Sequence, residues 1–356
     1  MSAIEKFDVT PLVMRKEDPT WRFALGANPI TEGHILTLTD GNGVKGYGYA
    51  SVTAHMGSIL GSLAAELEFL KPHVIGANPF AIEKTLAKLD SALRGAPQAK
   101  AAIDCAMYDL AARQMNIPLC QMFGGPFRNE VPILRILAIK TPDEMAAAAQ
   151  KLVDKGYRYL KIKVHGEVAE DVARVKAIRE QVGAGINLTI DANQSYSPKN
   201  AIAAINRMAE FDIDLVEQPV PVGDNRGLKL VTDNVPVTVE ADEAAGSLQE
   251  VYDLVAGEMV DAVSLKIPKL GGLRNTIAAA RLCEAAGVQY RLGAAVGSRL
   301  LAASGMHVAC ALPGIDYACE LGEFDRLLDD TFGPLEVQDG VLHLPQGPGC
   351  GVNPLE

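Results

Sequence analysis

Three acidic residues recur along the second half of the chain, each at the end of a short apolar run. Asp191 ends NLTID, Glu217 ends DLVE and Asp242 ends VTVEAD. They are spaced about 25 residues apart, roughly one strand-and-helix repeat, so the ends of three consecutive strands would meet at one place. Carboxylates that meet there repel one another unless a cation lies between them. Oxygen ligands without His or Cys favour Mg²⁺, so we predict a magnesium site.

Two other interpretations of these acids stay open. A single Asp at a strand-to-helix turn is often a helix N-cap, although three acids in register fit that role poorly. Glu240 shares a strand face with Asp242, because residues two apart in a strand point the same way. Glu240 is therefore an alternative ligand at that position.

Lysines lie on both sides of these acids in the repeat order. Lys161 and Lys163 belong to YLKIKV, one repeat before NLTID, and Lys266 belongs to SLKIPKLGG, one repeat after Asp242. A solvated edge strand would also explain the first two. A nearby cation and partial desolvation lower the pKa of a lysine and make it a usable base. We predict that Lys163 and Lys266 form an acid/base pair across the carboxylates.

A lysine beside a divalent cation suits one chemistry, the removal of the weakly acidic proton next to a substrate carboxylate. The resulting ene-diolate concentrates negative charge on its oxygens, and a divalent ion stabilises that charge as it develops. A base on each face of the substrate also permits inversion at the α-carbon. The residues therefore predict an enzyme that acts on a small-molecule carboxylate.

The elements that must position these residues form a regular alternation from Val131 onward. Eight short β-rich runs are separated by helical stretches: PILRILA, YLKIKV, NLTID, DLVEQ, VTVEAD, AVSLKI, QYRLG and IDYACE. Such alternation indicates parallel strands covered by helices, and about eight units over roughly 200 residues fit a closed barrel. A doubly wound open sheet is the alternative, but no GxGxxG follows the first strand.

The first third of the chain has a different pattern. Residues 34–50 alternate apolar and polar positions around DGNG, which indicates a hairpin. Apolar residues then recur at helical spacing in SILGSLAAELEFLKPHVIG and AKAAIDCAMYDLAARQMN, so this part is predicted to be α+β. Further on, Thr141, Pro142 and Glu144 have the spacing of a capping box, and SYSPKN has similar helix-start residues.

The composition of the chain indicates which binding partners and which cellular compartment to expect. The chain has 356 residues, 44 acidic against 33 basic, and no Lys/Arg block, so nucleic acid and anionic membrane are not expected partners. The first residues lack the apolar core of a secretory signal, and the six cysteines are scattered without a CxxC pair. We therefore expect a cytoplasmic protein with reduced thiols. The weakly charged stretch from Leu292 contains Arg299 and His307 and is predicted to be a barrel segment.

Seven motifs, taken in order, resemble a known family. They are AKAAIDCAMYDLAARQMNIPLCQMFGG, LKIKV, IDANQ, VEQPV, EADE, SLKIPKLGG and LPQGPGCGV. The chain resembles the enolase superfamily in its muconate lactonizing enzyme group. The resemblance implies an α/β fold, a (β/α)7β TIM-like barrel with an N-terminal α+β capping domain. It implies a capping domain over residues 1–127, the barrel over 128–325, and a C-terminal tail over 326–356 that returns to the capping domain.

The same resemblance implies roles for particular residues. It implies one Mg²⁺ per subunit, held by Asp191, Glu217 and Asp242, between the opposed catalytic lysines Lys163 and Lys266. Lys161 resembles the residue that supports Lys163 and neutralises the substrate carboxylate. The mandelate racemase group instead has a catalytic His on the seventh strand, and QYRLGAAVGS contains none. Barrels of this family commonly assemble, so a homo-oligomer is expected.

The substrate is suggested by the end of the last barrel strand. Dipeptide epimerases of this group usually have Asp-x-Asp there, whereas this chain has YACELGEF, with Glu320 in a suitable position. We predict that Glu320 binds the amine of an amino-acid-like substrate, such as a proline derivative; a surface salt bridge is the alternative. The expected outcome is racemisation, epimerisation or β-elimination (dehydration). The ELGEF stretch also fits a muconate-type cycloisomerase, which is the alternative reaction.

Two interpretations from other functional classes remain. Lys266 could be the Schiff-base nucleophile of a barrel aldolase, which leaves the three acids unexplained. The chain could also be a non-catalytic binding protein, although it has a full set of acid/base and metal positions. In addition, the loop over residues 17–26 carries Trp21 and Phe23, which either shield the site from water or anchor the loop.

Overall fold

The N-terminal part of the molecule is an antiparallel sheet packed against helices. The structure is a computed structural model that describes residues 2–27, 29–54 and 57–355. The strands are β1 (Ile4–Arg15), β2 (Arg22–Phe23), β3 (Gly26–Ala27), β4 (Ile30–Asp40) and β5 (Lys45–Ser51). The sheet has the order β1-β4-β5, and β4 and β5 pair antiparallel, which confirms the predicted hairpin.

Three helices cover this sheet, and the last of them is unusually close to it. They are α1 (Leu60–Leu70), α2 (Ile82–Ala92) and α3 (Pro97–Gln114). A Cβ built at Gly48 of β5 would lie 2.0 Å from the carbonyl oxygen of Ala102 in α3. Glycine in the strand and alanine in the helix therefore allow a contact that larger side chains would prevent.

Seven parallel strands in sequence order form the curled sheet of the second part. After the short β6 (Glu130–Pro132), they are β7 (Leu134–Leu137), β8 (Tyr159–Lys163), β9 (Asn187–Asp191), β10 (Leu215–Glu217), β11 (Thr238–Ala241), β12 (Ala262–Leu265) and β13 (Gln289–Leu292). Residues 315–320 contact both edges: Cys319 bridges Ile133 and Ile315 bridges Tyr290. The eighth predicted run closes the barrel through these bridges rather than as a full strand.

Helices alternate with the strands, and two of them begin at the helix-start residues that the sequence predicts. They are α4 (Pro142–Asp154), α5 (Val168–Val182), α6 (Pro198–Met208), α7 (Asn225–Thr232), α8 (Leu248–Ala256), α9 (Ile267–Leu270), α10 (Leu273–Ala286) and α11 (Arg299–Ala311). Short 3₁₀ turns cover Lys71–His73, Leu119–Phe123, Ala209–Phe211 and Glu323–Arg326. Thr141 and Glu144 form the predicted capping box of α4, and the Ser197 side chain accepts a hydrogen bond at the start of α6.

The C-terminal residues run back to α3. The last strands are β14 (Phe332–Gly333), β15 (Val337–Gln338), β16 (Val341–His343) and β17 (Asn353–Pro354). The backbone N–H of Cys350 donates to Asp109 Oδ1 at 2.7 Å, and Arg113 donates to the Asn353 side chain at 2.8 Å. The C-terminal residues therefore contact α3 of the N-terminal part. The three predicted domain boundaries stay predictions.

The core has two apolar clusters, one in the barrel and one between the N-terminal sheet and its helices. All six cysteines are buried and unpaired, as expected for reduced thiols. In the described part of the chain, no helix is both long and apolar enough to cross a membrane.

Asp104 of α3 joins the two parts at the N-terminus of α10. Its Oδ1 accepts a hydrogen bond from the backbone N–H of Leu273 at 2.7 Å, in a position where the helix dipole favours negative charge. Its Oδ2 is buried and has no hydrogen-bond partner. Burial raises the pKa of Asp104 to about 7, mainly because the ionised form loses water.

The raised pKa predicts a pH dependence of stability. Between the unfolded pKa near 3.8 and the folded pKa near 7, the native state binds the extra proton, so this residue's contribution falls as pH rises through that window. Asp104→Asn keeps the Oδ1 acceptor and cannot ionise. We expect the fall in unfolding free energy from pH 4.5 to pH 8 to shrink by on the order of 3 kcal/mol, measured by urea unfolding. The exposed Asp143→Asn is the control. If Asp104→Asn changes the dependence of unfolding free energy on pH no more than this control does, the raised pKa of Asp104 is contradicted.

Candidate active site

The three predicted acids lie together inside the barrel mouth. Asp191 and Glu217 end β9 and β10 and are paired in the strand register, and Asp242 directly follows β11. All three are at most 1% exposed. Buried carboxylates require charged partners or a metal ion, so their contacts decide what the site can do.

Lys161 is the central cation of this cluster. Its Nζ lies 2.6 Å from Glu217 Oε2, 3.0 Å from Asp191 Oδ2 and 2.7 Å from Glu320 Oε1. Strand β8 is paired on both sides, by β7 and β9, and Lys161 is 1% exposed. The edge-strand interpretation of Lys161 and Lys163 is therefore wrong, because neither side of β8 is open to solvent.

Lys163 and Lys266 contact different acids of the cluster. Lys163 Nζ donates to Asp191 Oδ2 at 2.5 Å and to Asn193 Oδ1 at 2.8 Å. Lys266, at the end of β12, donates to Asp242 Oδ2. Both lysines line the same cavity and approach it from opposite ends of the row of strands β8 to β12.

The charges in this cluster shift one another's protonation. Burial would raise the pKa of Asp191, but the ammonium groups of Lys161 and Lys163 outweigh it and hold that pKa well below its usual value. Burial and repulsion from Asp191 raise the pKa of Glu217 well above its usual value. Burial lowers the pKa of Lys266, but Asp242 and Glu217 outweigh it, so the net shift is upward. The sequence predicts a lowered pKa for this lysine, which requires a nearby cation. With the carboxylates of Asp242 and Glu217 as the nearest charges, the pKa of Lys266 is raised instead.

A cavity of about 370 Å³ lies between the barrel mouth and the N-terminal loops. Phe23 covers Lys163, with the ammonium 5.8 Å from the ring centroid, and Trp21 stacks near Phe23 at 5.6 Å. Trp21 is 8% exposed and lies under the Lys16 ammonium at 4.3 Å. Trp21 therefore anchors the loop and also lines the cavity, and Phe23 shields the lysine from water.

Glu320 lies in the same cavity but is already bonded. Its Oε1 accepts from Lys161, and its Oε2 accepts from the backbone N–H of Ala294 at 3.1 Å. Burial would raise its pKa, but Lys161 and Arg291 outweigh burial and lower it to about 2. Glu320 is 2% exposed, so the surface salt bridge interpretation is wrong.

The donor set fits a hard divalent cation. Glu217 Oε1 is buried and has no hydrogen-bond partner, so one carboxylate oxygen of the cluster is left for another ligand. The other candidate metal ligands, from Asp191 and Asp242, are also carboxylate oxygens, which Mg²⁺ prefers. Across residues 2–27, 29–54 and 57–355, no three acidic, His or Cys side chains already stand close enough to enclose an ion. Lys161 lies between Asp191 and Glu217, so the cation would share these acids with an ammonium group.

Several residues of the site were missed from sequence. Asn193 accepts from Lys163, and Gln218 Oε1 accepts from the backbone N–H groups of Asp242 and Ala244, both at 3.0 Å. Lys269 donates to Asp242 Oδ1 at 2.9 Å and to the carbonyl oxygen of Ser264 at 2.8 Å. Asn193 follows Asp191 by two positions and Lys269 follows Lys266 by three, so spacing from the predicted residues was the available signal.

Comparison with known proteins agrees with this fold. Residues 11–124 match the mandelate racemase / muconate lactonizing enzyme N-terminal domain, and residues 144–356 match the enolase C-terminal domain-like family. A hydrophobic dipeptide epimerase of Enterococcus faecalis is 37% identical, over 94% of this chain and 95% of that protein. An N-succinyl-L-Arg/Lys racemase of Bacillus cereus is 32% identical, over 89% and 86%. A chloromuconate cycloisomerase of Cupriavidus necator is 32% identical, over 91% and 87%.

The structural comparison reaches the same group. A dipeptide epimerase from Enterococcus faecalis, complexed with Mg and the dipeptide L-Leu-L-Tyr, superposes with a TM-score of 0.95 at 34% identity, covering 99% of both chains. The fold and the buried acid-lysine cluster define an enolase-superfamily barrel with a capping domain. The chain belongs to the mandelate racemase / muconate lactonizing enzyme family, which confirms the family and fold predicted from its motifs.

The predicted ligands can be tested by metal binding alone. We expect Asp191→Asn and Glu217→Gln each to weaken Mg²⁺ binding by at least roughly tenfold in titration calorimetry, because each removes a charged oxygen ligand. Glu210→Gln, an exposed acid of the same barrel, is the matched control. Unchanged affinity in both site variants would rule out the proposed ligand set.

Proposed function

We propose that this protein is a Mg²⁺-dependent isomerase that removes the α-proton of a small amino-acid-like carboxylate and returns a proton to the opposite face. The observation that carries the proposal is the placement of Lys163 and Lys266, which enter one cavity from different strands on opposite sides of the carboxylate cluster. A site with a single base would return the proton to the face that it left, whereas two opposed bases allow epimerisation or racemisation.

The metal would be held by Asp191, Glu217 and Asp242. When bound, Mg²⁺ supplies positive charge for the two oxygens of the substrate carboxylate as they gain electron density. Lys161 contributes a fixed positive charge next to the same oxygens, because it is buried between Asp191 and Glu217. The free Oε1 of Glu217 supports this assignment.

The two lysines would move the proton. Lys163 is oriented by Asn193 and covered by Phe23, so its Nζ stands in a cavity from which water is partly excluded. Lys266 is held by Asp242 at the far side of the cluster. In one direction Lys163 takes the α-proton and Lys266 delivers one, and in the other direction the roles exchange.

The cavity supports an amino-acid derivative as substrate. The apolar side chains that line it include Trp21, Phe23 and Leu25, and Glu320 also lines it. Glu320 would receive a substrate amine, such as that of a proline derivative. Its oxygens already accept from Lys161 and Ala294, and a carboxylate oxygen can accept more than one hydrogen bond. Two of the relatives described above are an epimerase and a racemase of amino-acid derivatives.

Other outcomes of the same first step are kept as alternatives. The chloromuconate cycloisomerase relative and the ELGEF stretch favour a cycloisomerase as the second candidate, and loss of a β-substituent would give dehydration. The Schiff-base aldolase is less well supported, because it gives no role to the buried carboxylates of Asp191, Glu217 and Asp242. We also propose one Mg²⁺ per subunit, a homo-oligomer and a cytoplasmic location.

The reaction can be identified with a substrate panel. N-acylated amino acids, dipeptides, proline derivatives and muconates would be incubated with the enzyme and Mg²⁺ in D₂O and followed by NMR. We expect deuterium to enter the α-position of an amino-acid derivative, with formation of its epimer. Lactone formation from a muconate without α-exchange on any amino-acid derivative would favour the cycloisomerase instead.

Single lysine variants test the two-base geometry. Lys163→Ala and Lys266→Ala should each abolish inversion, because each removes one of the two proton carriers. Each variant should retain α-deuterium exchange on one enantiomer only, and the two variants should retain opposite enantiomers. Exchange of the same enantiomer by both variants would show that the lysines do not flank the substrate.

A further inference from the structure

Arg291 of β13 is a fully buried cation with no assigned role in the proposed reaction. It is 0% exposed and lies in the barrel interior. Its Nε donates to Glu240 Oε1 and Oε2 at 2.9 and 3.0 Å. Its Nη2 donates to Glu217 Oε2 at 2.5 Å and to Glu240 Oε2 at 2.6 Å. Nη2 also lies 3.1 Å from Glu320 Oε1. A guanidinium that donates several hydrogen bonds to Glu217 and Glu240 fixes the orientation of both.

The strand register explains why such a cation is needed. Glu217 and Glu240 are paired in the parallel register of β10 and β11, so two carboxylates project from neighbouring strands into the same interior. Both are 0% exposed. Two buried carboxylates at strand spacing repel each other strongly, and Arg291 lies against both of them.

The contacts divide the carboxylate oxygens unequally. Both oxygens of Glu240 are taken by Arg291. Only Oε2 of Glu217 is taken, by Arg291 and Lys161 together, and its buried Oε1 has no partner. Arg291 therefore withholds one acid from the barrel mouth and holds the other with a single oxygen free.

We infer that Arg291 is a positioning residue that selects Glu217, rather than Glu240, as a metal ligand. The inference rests on the proposed function, since it takes Glu217 as a ligand. From the sequence, Glu240 was an alternative metal ligand. In the structure both of its carboxylate oxygens are bonded to the Arg291 guanidinium. Arg291 acts through Glu217 and is not among the residues that line the cavity.

Arginine variants with and without Glu240 separate positioning from simple charge neutralisation. Arg291→Lys keeps the charge but cannot form the parallel hydrogen bonds. The double variant Arg291→Met with Glu240→Met removes the pair together, so it leaves no unpaired acid behind and is better suited to folding. We expect both proteins to bind Mg²⁺ roughly 10- to 100-fold more weakly than the unmodified enzyme in titration calorimetry, as for other residues that orient metal ligands.

The outcomes distinguish the inference from the function on which it rests. If the double variant binds Mg²⁺ with unchanged affinity while Glu217→Gln binds it more weakly, Arg291 only compensates Glu240, and the inference alone fails. If Glu217→Gln leaves the affinity unchanged, the ligand set of the proposed function fails first. Weaker binding in all three proteins, with thermal unfolding of the double variant within a few degrees of the unmodified enzyme, supports positioning by Arg291.

Discussion

The need to hold several carboxylates inside one barrel without water governs the rest of this structure. Ionised acids that leave water must find cations or hydrogen-bond donors, and an unpaired one would cost several kcal/mol. Ion pairs in the described chain meet this need with lysines and one arginine. The acids are Asp191, Glu217, Glu240, Asp242 and Glu320, and the cations are Lys161, Lys163, Lys266, Lys269 and Arg291. The same groups that stabilise the acids are thereby placed to do chemistry.

The capping domain completes this site in two ways. Its loop brings Phe23 over Lys163 and Trp21 over the cavity, which keeps water from the lysine. Its helix α3 packs against α9, the short helix that begins directly after Lys266, and Asp104 of α3 caps the following helix. The position of Lys266 therefore depends on a contact between the two parts of the molecule.

Local patterns were sufficient where a residue's role follows from its neighbours in sequence. The hairpin around DGNG, the capping box at Thr141 and the strand ends at Asp191 and Glu217 all lie where the sequence predicts. The structure of the eighth run, residues 315–320, was harder to predict. These residues contact the barrel through isolated bridges, which no pattern of apolar residues indicates. The pKa of Lys266 depends on distant parts of the chain for a related reason: the carboxylates of Asp242 and Glu217 raise it, and the closed barrel sets their distances from Lys266.

The sequence by itself determined the barrel, the order of its acids and lysines, and the family, because period, spacing and motif are properties of short segments. Only the tertiary structure decided which oxygen each cation takes. Arg291 lies 51 residues from Glu240 and 74 from Glu217 in the chain, and Lys161 lies 159 from Glu320. Pairings over such separations depend on barrel closure and on the strand register, which place side chains from distant strands a few ångströms apart. The free oxygen of Glu217 is the result of that closure.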